Sequence, residues 1–270
     1  MLVDAHTHVV AADRDAFPLS PAALPGDWYT ESPCSAEGLL DEMDDAGVDR
    51  AVLVQPVGAY SFDNRYAAAG ASANPDRFTA ACCVDPYGES SAQELQRWLD
   101  HAGVGGVRFF ALSRRRSWLS DPGTFGLWEQ AGASGAHVIV TIFESQFDEL
   151  AAVLERFEDV AVSLDHCGFC HVARPEHLAE LARFENLHLK VTTNVIDAAV
   201  AAAGTARPFV RRLAGAFGAD RLMWGSDYCQ THDRPYGNLV RDGIEAFADL
   251  SAAQQEACLG ATALRLWFDG

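Results

Sequence analysis

The sequence has few basic side chains and no long apolar run. Its 20 lysine and arginine residues face 38 acidic residues, which gives a formal net charge of −18. Such a charge repels phosphate backbones and anionic lipid, so we expect no general binding to nucleic acid or to membranes. No apolar stretch approaches the roughly 18 residues of a membrane-spanning helix. The N-terminus lacks a basic segment followed by an apolar run, so we expect no signal peptide and a cytoplasmic protein.

The cysteines do not form a recognisable framework. Seven cysteines, an odd number, indicate free thiols rather than a set of disulfides. Cys167, Cys170 and His171 have the C-x-x-C-H spacing of c-type haem attachment. Haem attachment requires export, and a four-cysteine zinc site needs a second C-x-x-C, which the sequence lacks. We interpret the spacing as coincidental, with a reactive thiol at Cys167 as the open alternative.

The sequence also lacks a glycine-rich phosphate-binding turn, which a doubly wound open sheet usually has. Instead, short apolar and β-branched runs alternate eight times with segments that carry apolar residues at helical spacing. Eight such units in 270 residues predict an α/β fold, a (β/α)8 TIM barrel that forms a single domain over residues 1–270. The predicted strands are 2–6, 50–55, 78–84, 106–110, 137–143, 160–166, 187–193 and 221–227.

Two long segments follow predicted strands, residues 11–34 after the first and residues 111–123 after the fourth. Loops that follow barrel strands build the active-site face, so both segments are candidate substrate walls. Their aromatic residues could flank a ring-shaped substrate. These residues are Trp28, Tyr29 and Trp118.

Histidines and carboxylates are concentrated at the predicted strand ends. In "VDAHTH", His6 and His8 are two residues apart, so that in a strand both side chains point to the same side, as two ligands of one metal would. This short motif is weak evidence alone. In a barrel, however, the ends of all strands converge, and packing does not explain so many polar side chains there. The further residues at these ends are Arg108, Glu144, Asp165, His166, Lys190, Asn194 and Asp227.

Several segments also resemble a known family over nearly the whole chain. They are "VDAHTH", "DNRYAAAGASANPDRFTAACCVDP", "GVRFF", "FESQFDEL", "VSLDHCG" and "RLMWGSDY". Their order resembles that of the amidohydrolase superfamily, in particular the amidohydrolase-2 branch that contains sugar-acid lactonases and pyrone-dicarboxylate lactonase. The resemblance implies a (β/α)8 barrel whose site lies at the C-terminal ends of the strands.

The resemblance also implies a ligand set. It places the two motif histidines at His6 and His8, a further histidine at His166 and the last-strand aspartate at Asp227. Many superfamily members have a histidine or a modified lysine where this chain has Glu144. We expect His6, His8, Glu144 and Asp227 to bind zinc or another divalent metal, and we retain a metal-independent alternative because some relatives work without a metal.

The resemblance and the residue chemistry together predict a hydrolase of a small molecule. Asp227 is expected to be the general base that activates water, with His166 contacting the scissile carbonyl or orienting the water. Arginine suits a substrate carboxylate because its planar group matches two oxygens. The predicted substrate-binding residues are Arg108, Arg114, Arg116 and Trp118.

We predict that the protein opens a lactone or related ring bond of a carboxylated or hydroxylated substrate. The alternative enzyme is a non-oxidative, zinc-dependent decarboxylase or hydratase of the same superfamily. A barrel that binds a ligand without catalysis is a further alternative, although the presence of His6, His8, His166 and Asp227 together argues against it. The sequence is compatible with an oligomer.

Overall fold

The computed structural model describes residues 1–113 and 117–268. Eight parallel strands follow one another in sequence order in one sheet, which closes nearly into a barrel. The prediction of a single (β/α)8 barrel is therefore confirmed. The strands are β1 (Val3–Thr7), β2 (Arg50–Val54), β3 (Phe78–Cys82), β4 (Val104–Phe110), β5 (His137–Thr141), β6 (Val162–Leu164), β7 (Leu187–Thr192) and β8 (Leu222–Gly225).

Helices connect the strands and cover the outside of the sheet. They are α1 (Trp28–Glu31), α2 (Ala36–Ala46), α3 (Val57–Tyr60), α4 (Arg65–Ala73), α5 (Ser91–Leu99), α6 (Phe125–Ala133), α7 (Phe147–Arg156), α8 (Glu176–Glu180), α9 (Thr193–Ala203), α10 (Arg207–Phe217), α11 (Tyr236–Ala246), α12 (Ala252–Glu256) and α13 (Thr262–Trp267). Among the helices of the described residues, none is both long enough and apolar enough to cross a membrane.

The strands are apolar on both faces because each face meets protein. On β2, Val52 and Val54 point into the barrel, whereas Ala51 and Leu53 pack against the helices. Side chains alternate between the two faces of a strand, so a covered parallel strand needs apolar residues at consecutive positions. This double coverage explains why continuous apolar runs predicted the strands.

The last helix covers the floor of the barrel, at the N-terminal ends of the strands. Trp267 of α13 packs inside the barrel with Val3, Ala5 and Ile139. A Cβ atom at Gly106 would lie 2.7 Å from the Trp267 ring, so only glycine leaves room for this indole at the start of β4. The apolar residues near the C-terminus therefore close the barrel.

Contacts between the first and last strands complete the barrel at the opposite end. The Asp227 backbone N–H donates to the His6 carbonyl at 2.8 Å. The Asp4 carboxylate accepts from the backbone N–H groups of His6 and Ser226, at 3.1 and 2.9 Å. A Cβ atom at Gly225 would lie 2.7 Å from the His6 Cβ, so glycine is needed where the two strands meet. The "WGSD" and "VDAHTH" segments thus form one structural unit.

Candidate active site

An irregularity in β1 turns the two motif histidines into the barrel. Asp4 pairs with Ala51 and Thr7 pairs with Leu53, so three steps along β1 match two steps along β2. This bulge lets Ala5 and His6 both face inward while Asp4 faces the helices, where the Tyr236 hydroxyl donates to it at 3.0 Å. The side chains of His6 and His8 are 0% and 1% exposed.

Hydrogen bonds at Nδ1 orient both imidazoles. His8 Nδ1 lies 2.8 Å from the carbonyl oxygen of Val54, which can only accept, so this nitrogen carries the proton. His6 Nδ1 lies 3.0 Å from Asp165 Oδ1 and is assigned as the donor to that carboxylate. With Nδ1 as the donor, the Nε2 atom of each ring faces the interior of the site and is the atom that can serve as a ligand, as in metal-binding histidines.

Asp227 faces these two Nε2 atoms. Its Oδ1 atom lies 3.5 Å from His6 Nε2 and 3.4 Å from His8 Nε2. All three atoms are buried without a hydrogen-bond partner among the described residues. Burial alone would raise the pKa of Asp227, but the nearby His166 outweighs this effect and lowers that pKa well below its usual range. Three electron-pair donors that face one another repel unless a cation lies between them.

The donor set fits a divalent metal. His6, His8 and Asp227 each offer one ligand atom, and these atoms lie within 4.8 Å of one another. Imidazole nitrogens and a carboxylate oxygen are ligands that zinc prefers, and three protein ligands leave a coordination position open. The Asp165 carboxylate behind His6 is the kind of partner that orients a metal-binding imidazole.

A buried charge network lies directly beneath His6. Asp165 Oδ2 accepts from Arg108 Nε at 3.1 Å and from the Thr141 hydroxyl at 2.7 Å. Asp165 Oδ1 lies 3.3 Å from Lys190 Nζ. Burial would raise the pKa of Asp165, but His6, Lys190 and Arg108 together hold it well below its usual range. Burial lowers the pKa of Lys190 to about 8, and the charge of Asp165 opposes this shift.

His166 lies in a left-handed turn that begins where β6 ends. His166 and Cys167 have φ values of 54° and 49°, and Gly168 has 63°. A Cβ atom at Gly168 would lie 2.3 Å from the Phe147 ring, so the turn requires glycine there. Left-handed non-glycine residues are strained and cluster at functional sites. The turn is also why β6 ends earlier than the sequence predicted.

A chain of hydrogen bonds connects His166 with Asp227. His166 Nδ1 lies 2.8 Å from the Thr192 hydroxyl, which donates to Asn194 Oδ1 at 2.7 Å. The Asn194 amide donates to Asp227 Oδ2 at 3.3 Å. Because the Thr192 hydroxyl donates its proton to Asn194, His166 Nδ1 is the donor in its hydrogen bond with Thr192. Burial separately lowers the pKa of the His166 imidazole. The two predicted catalytic side chains therefore belong to one connected network.

The cysteine motif has a structural role in this turn. Cys167 is fully buried, and burial raises the pKa of its thiol well above the usual range. A reactive cysteine instead needs a lowered pKa and some exposure. The alternative of a reactive thiol at Cys167 is therefore not supported, and all seven cysteines are free and buried.

Besides Trp118, three of the predicted site residues lie elsewhere or cannot be placed. Glu144 is not brought to the cluster: β5 ends at Thr141, and the Glu144 carboxylate accepts from the His171 backbone N–H at 2.9 Å instead. Arg114 and Arg116 lie outside the residues that the structure describes.

The predicted aromatic walls differ in position. Trp118 packs against Phe109 at 5.4 Å between ring centroids and donates to the Phe110 carbonyl, within the helix layer rather than beside the imidazoles. Trp28 lies 5.6 Å from the His8 ring. Phe169 lies 4.9 Å from the His166 ring. The flanking aromatic residues are thus Trp28, which the sequence suggested, and Phe169, which it did not.

The sequence also left the supporting network unassigned. Asp165, Lys190 and Asn194 stand at predicted strand ends, which is the signal that selects them. Their contacts with His6 and Asp227 depend on how strands far apart in sequence meet.

Comparisons with known proteins agree with this architecture. A family model described as amidohydrolase matches residues 3–268. A solved structure from Pseudomonas putida, provisionally named a 2-pyrone-4,6-dicarboxylic acid hydrolase, is 24% identical with a TM-score of 0.78 and covers 98% of this chain and 96% of its own.

Two further structures cover 98% of this chain and 98% of their own. An amidohydrolase from Burkholderia multivorans with bound zinc is 22% identical, with a TM-score of 0.77. A 5-carboxyvanillate decarboxylase from Sphingomonas paucimobilis is 16% identical, with a TM-score of 0.67. At these identities the structures show the fold alone. A search of curated protein sequences finds no match.

Proposed function

This chain belongs to the amidohydrolase family, and on that premise we propose that it opens a lactone or related ring bond of a small carboxylated or hydroxylated substrate. The observation that carries the proposal is the convergence of His6 Nε2, His8 Nε2 and Asp227 Oδ1, all buried and unpartnered among the described residues. They lie at the C-terminal ends of the strands, where barrel enzymes place their catalytic groups.

The histidines act as acceptors in this site. Because Nδ1 of each ring carries the proton, the neutral imidazoles cannot donate a hydrogen bond to a carbonyl oxygen from Nε2. His6, His8 and Asp227 would therefore hold a divalent metal, which when bound supplies a positive charge that polarises a carbonyl and lowers the pKa of water. A metal-independent reaction remains the alternative and would have to use other donors.

Asp227 is the group that takes the proton from water. It is ionised, its Oδ2 atom is held by Asn194, and its strained backbone, with φ of 61°, directs the carboxylate toward the imidazoles. A carboxylate so held can act as a general base within hydrogen-bond reach of bound water. The connection through Asn194 and Thr192 fixes the orientation of His166 relative to this base.

Arg108 supplies positive charge for an anionic substrate. Its guanidinium group lies on the inner face of β4, 4% exposed, and its Nε atom is already bound by Asp165 and Thr141. A substrate carboxylate would therefore bind at the Nη atoms of the guanidinium group. Arg114 and Arg116 follow β4 in the sequence, outside the described residues, and remain predicted contacts.

Decarboxylation of an aromatic or unsaturated acid is the second candidate. The observation that favours it is the pair of rings, Trp28 beside His8 and Phe169 beside His166, which would suit a flat substrate. The same ligand set would serve a zinc-dependent decarboxylase or hydratase. A small-molecule substrate and a cytoplasmic location belong to both proposals, and an oligomer is compatible with either.

A substrate panel distinguishes the candidates. Sugar-acid lactones, pyrone carboxylates and hydroxybenzoates are incubated with the purified protein, and acid release and CO2 release are measured separately, with elemental analysis before and after a chelator. Acid release without CO2 supports the hydrolase, and CO2 release supports the decarboxylase. Loss of zinc together with activity supports the ligand assignment, whereas full activity after metal removal supports the metal-independent alternative.

A further inference from the structure

The chain contains a single lysine, and that lysine is completely buried. Lys190 accounts for one of the 20 basic residues and all the others are arginine. Its side chain is 0% exposed, in the interior of the barrel on β7. Lysine is almost never fully buried unless paired, because removing an ammonium group from water is costly. The other 19 Lys and Arg positions are all arginine, and the single lysine lies where an ammonium group is fully removed from water.

The surroundings of Lys190 connect it to the proposed metal site. Its Nζ atom lies 3.3 Å from Asp165 Oδ1 and 3.4 Å from His6 Nδ1. On the floor side, the same atom lies 5.6 Å from the centroid of the Trp267 ring. Arg108 already occupies the other oxygen of Asp165. The ammonium group is therefore the second cation beside the Asp165 carboxylate. It lies on the side of the His6 ring that faces away from Asp227.

Counting the buried charges shows what the second cation does. Among the residues that the structure describes, the charged side chains inside the barrel around the site are Asp165 and Asp227, both negative, and Arg108 and Lys190, both positive. They sum to zero with the imidazoles neutral. Asp4 is also buried, but it faces the helices and is bound there by two backbone N–H groups and the Tyr236 hydroxyl. Without Lys190, the interior would carry one net negative charge.

We propose that the positive charge of Lys190 weakens the affinity of the His6, His8 and Asp227 site for divalent cations. The same charge favours binding of an anionic substrate at this site. The inference rests on the proposed function, in particular on these three residues as ligands. A positive charge a few ångströms behind a ligand opposes a second cation in the low-dielectric interior and favours an anion there. The metal would then bind more tightly when the anionic substrate is present, and the substrate would bind more tightly when the metal is present.

The test compares zinc affinities of intact variants. Lys190→Met removes the charge at similar volume, Lys190→Gln does so while keeping a donor for Asp165, and Lys190→Arg keeps the charge. Zinc is titrated into each metal-free protein in competition with a chromophoric chelator. We expect Lys190→Met and Lys190→Gln to bind zinc at least about tenfold more tightly than the wild type, and Lys190→Arg to stay near the wild-type affinity.

Other outcomes overturn the inference in distinguishable ways. Equal or weaker zinc binding by Lys190→Met or Lys190→Gln would mean that the lysine supports the structure rather than opposing the metal. Equally tightened binding in Lys190→Arg would mean that altered packing, not charge, is responsible. If neither the wild type nor the neutral variants bind zinc, the proposed effect of the Lys190 charge on metal affinity is wrong. Lactone hydrolysis that persists in chelator would then leave the proposed reaction standing.

The single lysine permits a measurement without substitution, which covers variants that fail to fold. Protein labelled with 13Cε-lysine has one lysine side-chain signal. We expect zinc binding to the wild type to shift that signal in step with occupancy, because Nζ lies 3.4 Å from the His6 ring. Zinc binding that leaves the signal unmoved would separate Lys190 from the site and contradict the proposal.

Discussion

At the scale of single residues, the site is built from side chains whose roles are set by their partners. His6 and His8 are alike in sequence, yet one is oriented by a carboxylate and the other by a backbone carbonyl. Asp165 and Asp227 are both buried and ionised, but only Asp227 has an oxygen left without a partner among the described residues. This difference makes Asp165 a support for His6 and Asp227 the reactive carboxylate.

Replacing Asp227 with asparagine tests this assignment. Asp227→Asn should keep the fold and the KM but lower kcat by about two or more orders of magnitude, because an amide cannot accept the proton from water. Steady-state kinetics on the best substrate of the panel measure the effect. A kcat close to that of the wild type would show that Asp227 is not the base.

Arg108 is tested by comparing substrates. Arg108→Met should raise KM for a carboxylated lactone more than for a neutral one, because only the former loses an ionic partner. The KM for both substrates should rise to some extent, because Asp165 loses one of its two cations. The ratio of the two KM values is therefore the informative quantity. An unchanged ratio would make Arg108 a purely structural partner of Asp165.

At the scale of elements, short turns after strands decide which side chains reach the site. The left-handed turn after β6 directs His166 inward, while the short helical turn at residues 144–146 leaves Glu144 beside His171. Both residues follow a strand closely, so their positions in the sequence do not distinguish them. The local backbone conformation does.

Glycine at position 168 can be tested against a matched glycine. Gly168→Ala should destabilise the protein by about 1–3 kcal/mol beyond the ordinary cost of a left-handed alanine, because the new Cβ would overlap the Phe147 ring. Gly135 has a similar φ of 65° with nothing within 4 Å of an added Cβ, so Gly135→Ala is the control. Urea unfolding of both variants gives the comparison, and equal losses would rule out the steric explanation.

At the scale of the whole molecule, the barrel has two chemically different ends. The C-terminal ends of the strands hold the ionised cluster, whereas the floor holds neutral histidines beneath the C-terminal helix. His137 lies 2.9 Å from the Ser163 hydroxyl and packs on Trp267, and His188 donates to the Val162 carbonyl. Burial lowers the pKa of His188 to about 4 and that of His137 well below its usual range.

These floor histidines predict a dependence of stability on pH. Their pKa values are lower in the folded protein than the usual value near 6.5, so the unfolded chain binds more protons at mildly acidic pH. Their contribution to stability is complete above pH 6.5 and is lost as the pH falls toward about 4. Urea unfolding between pH 7 and 4 measures the slope. His188→Gln should flatten it, and an unchanged slope would assign the acid sensitivity to other groups.

The sequence by itself determined the barrel, because both faces of each strand are covered and this demands apolar runs at regular intervals along the chain. It also determined His6, His8, His166 and Asp227 as candidates, since polar side chains at strand ends have no role in packing. Only the tertiary structure decided that Glu144 stands apart, that Trp118 packs among the helices, and that Lys190 and Asp165 lie behind His6. These outcomes depend on backbone turns and on contacts between strands more than 150 residues apart, for which local residue patterns carry no signal.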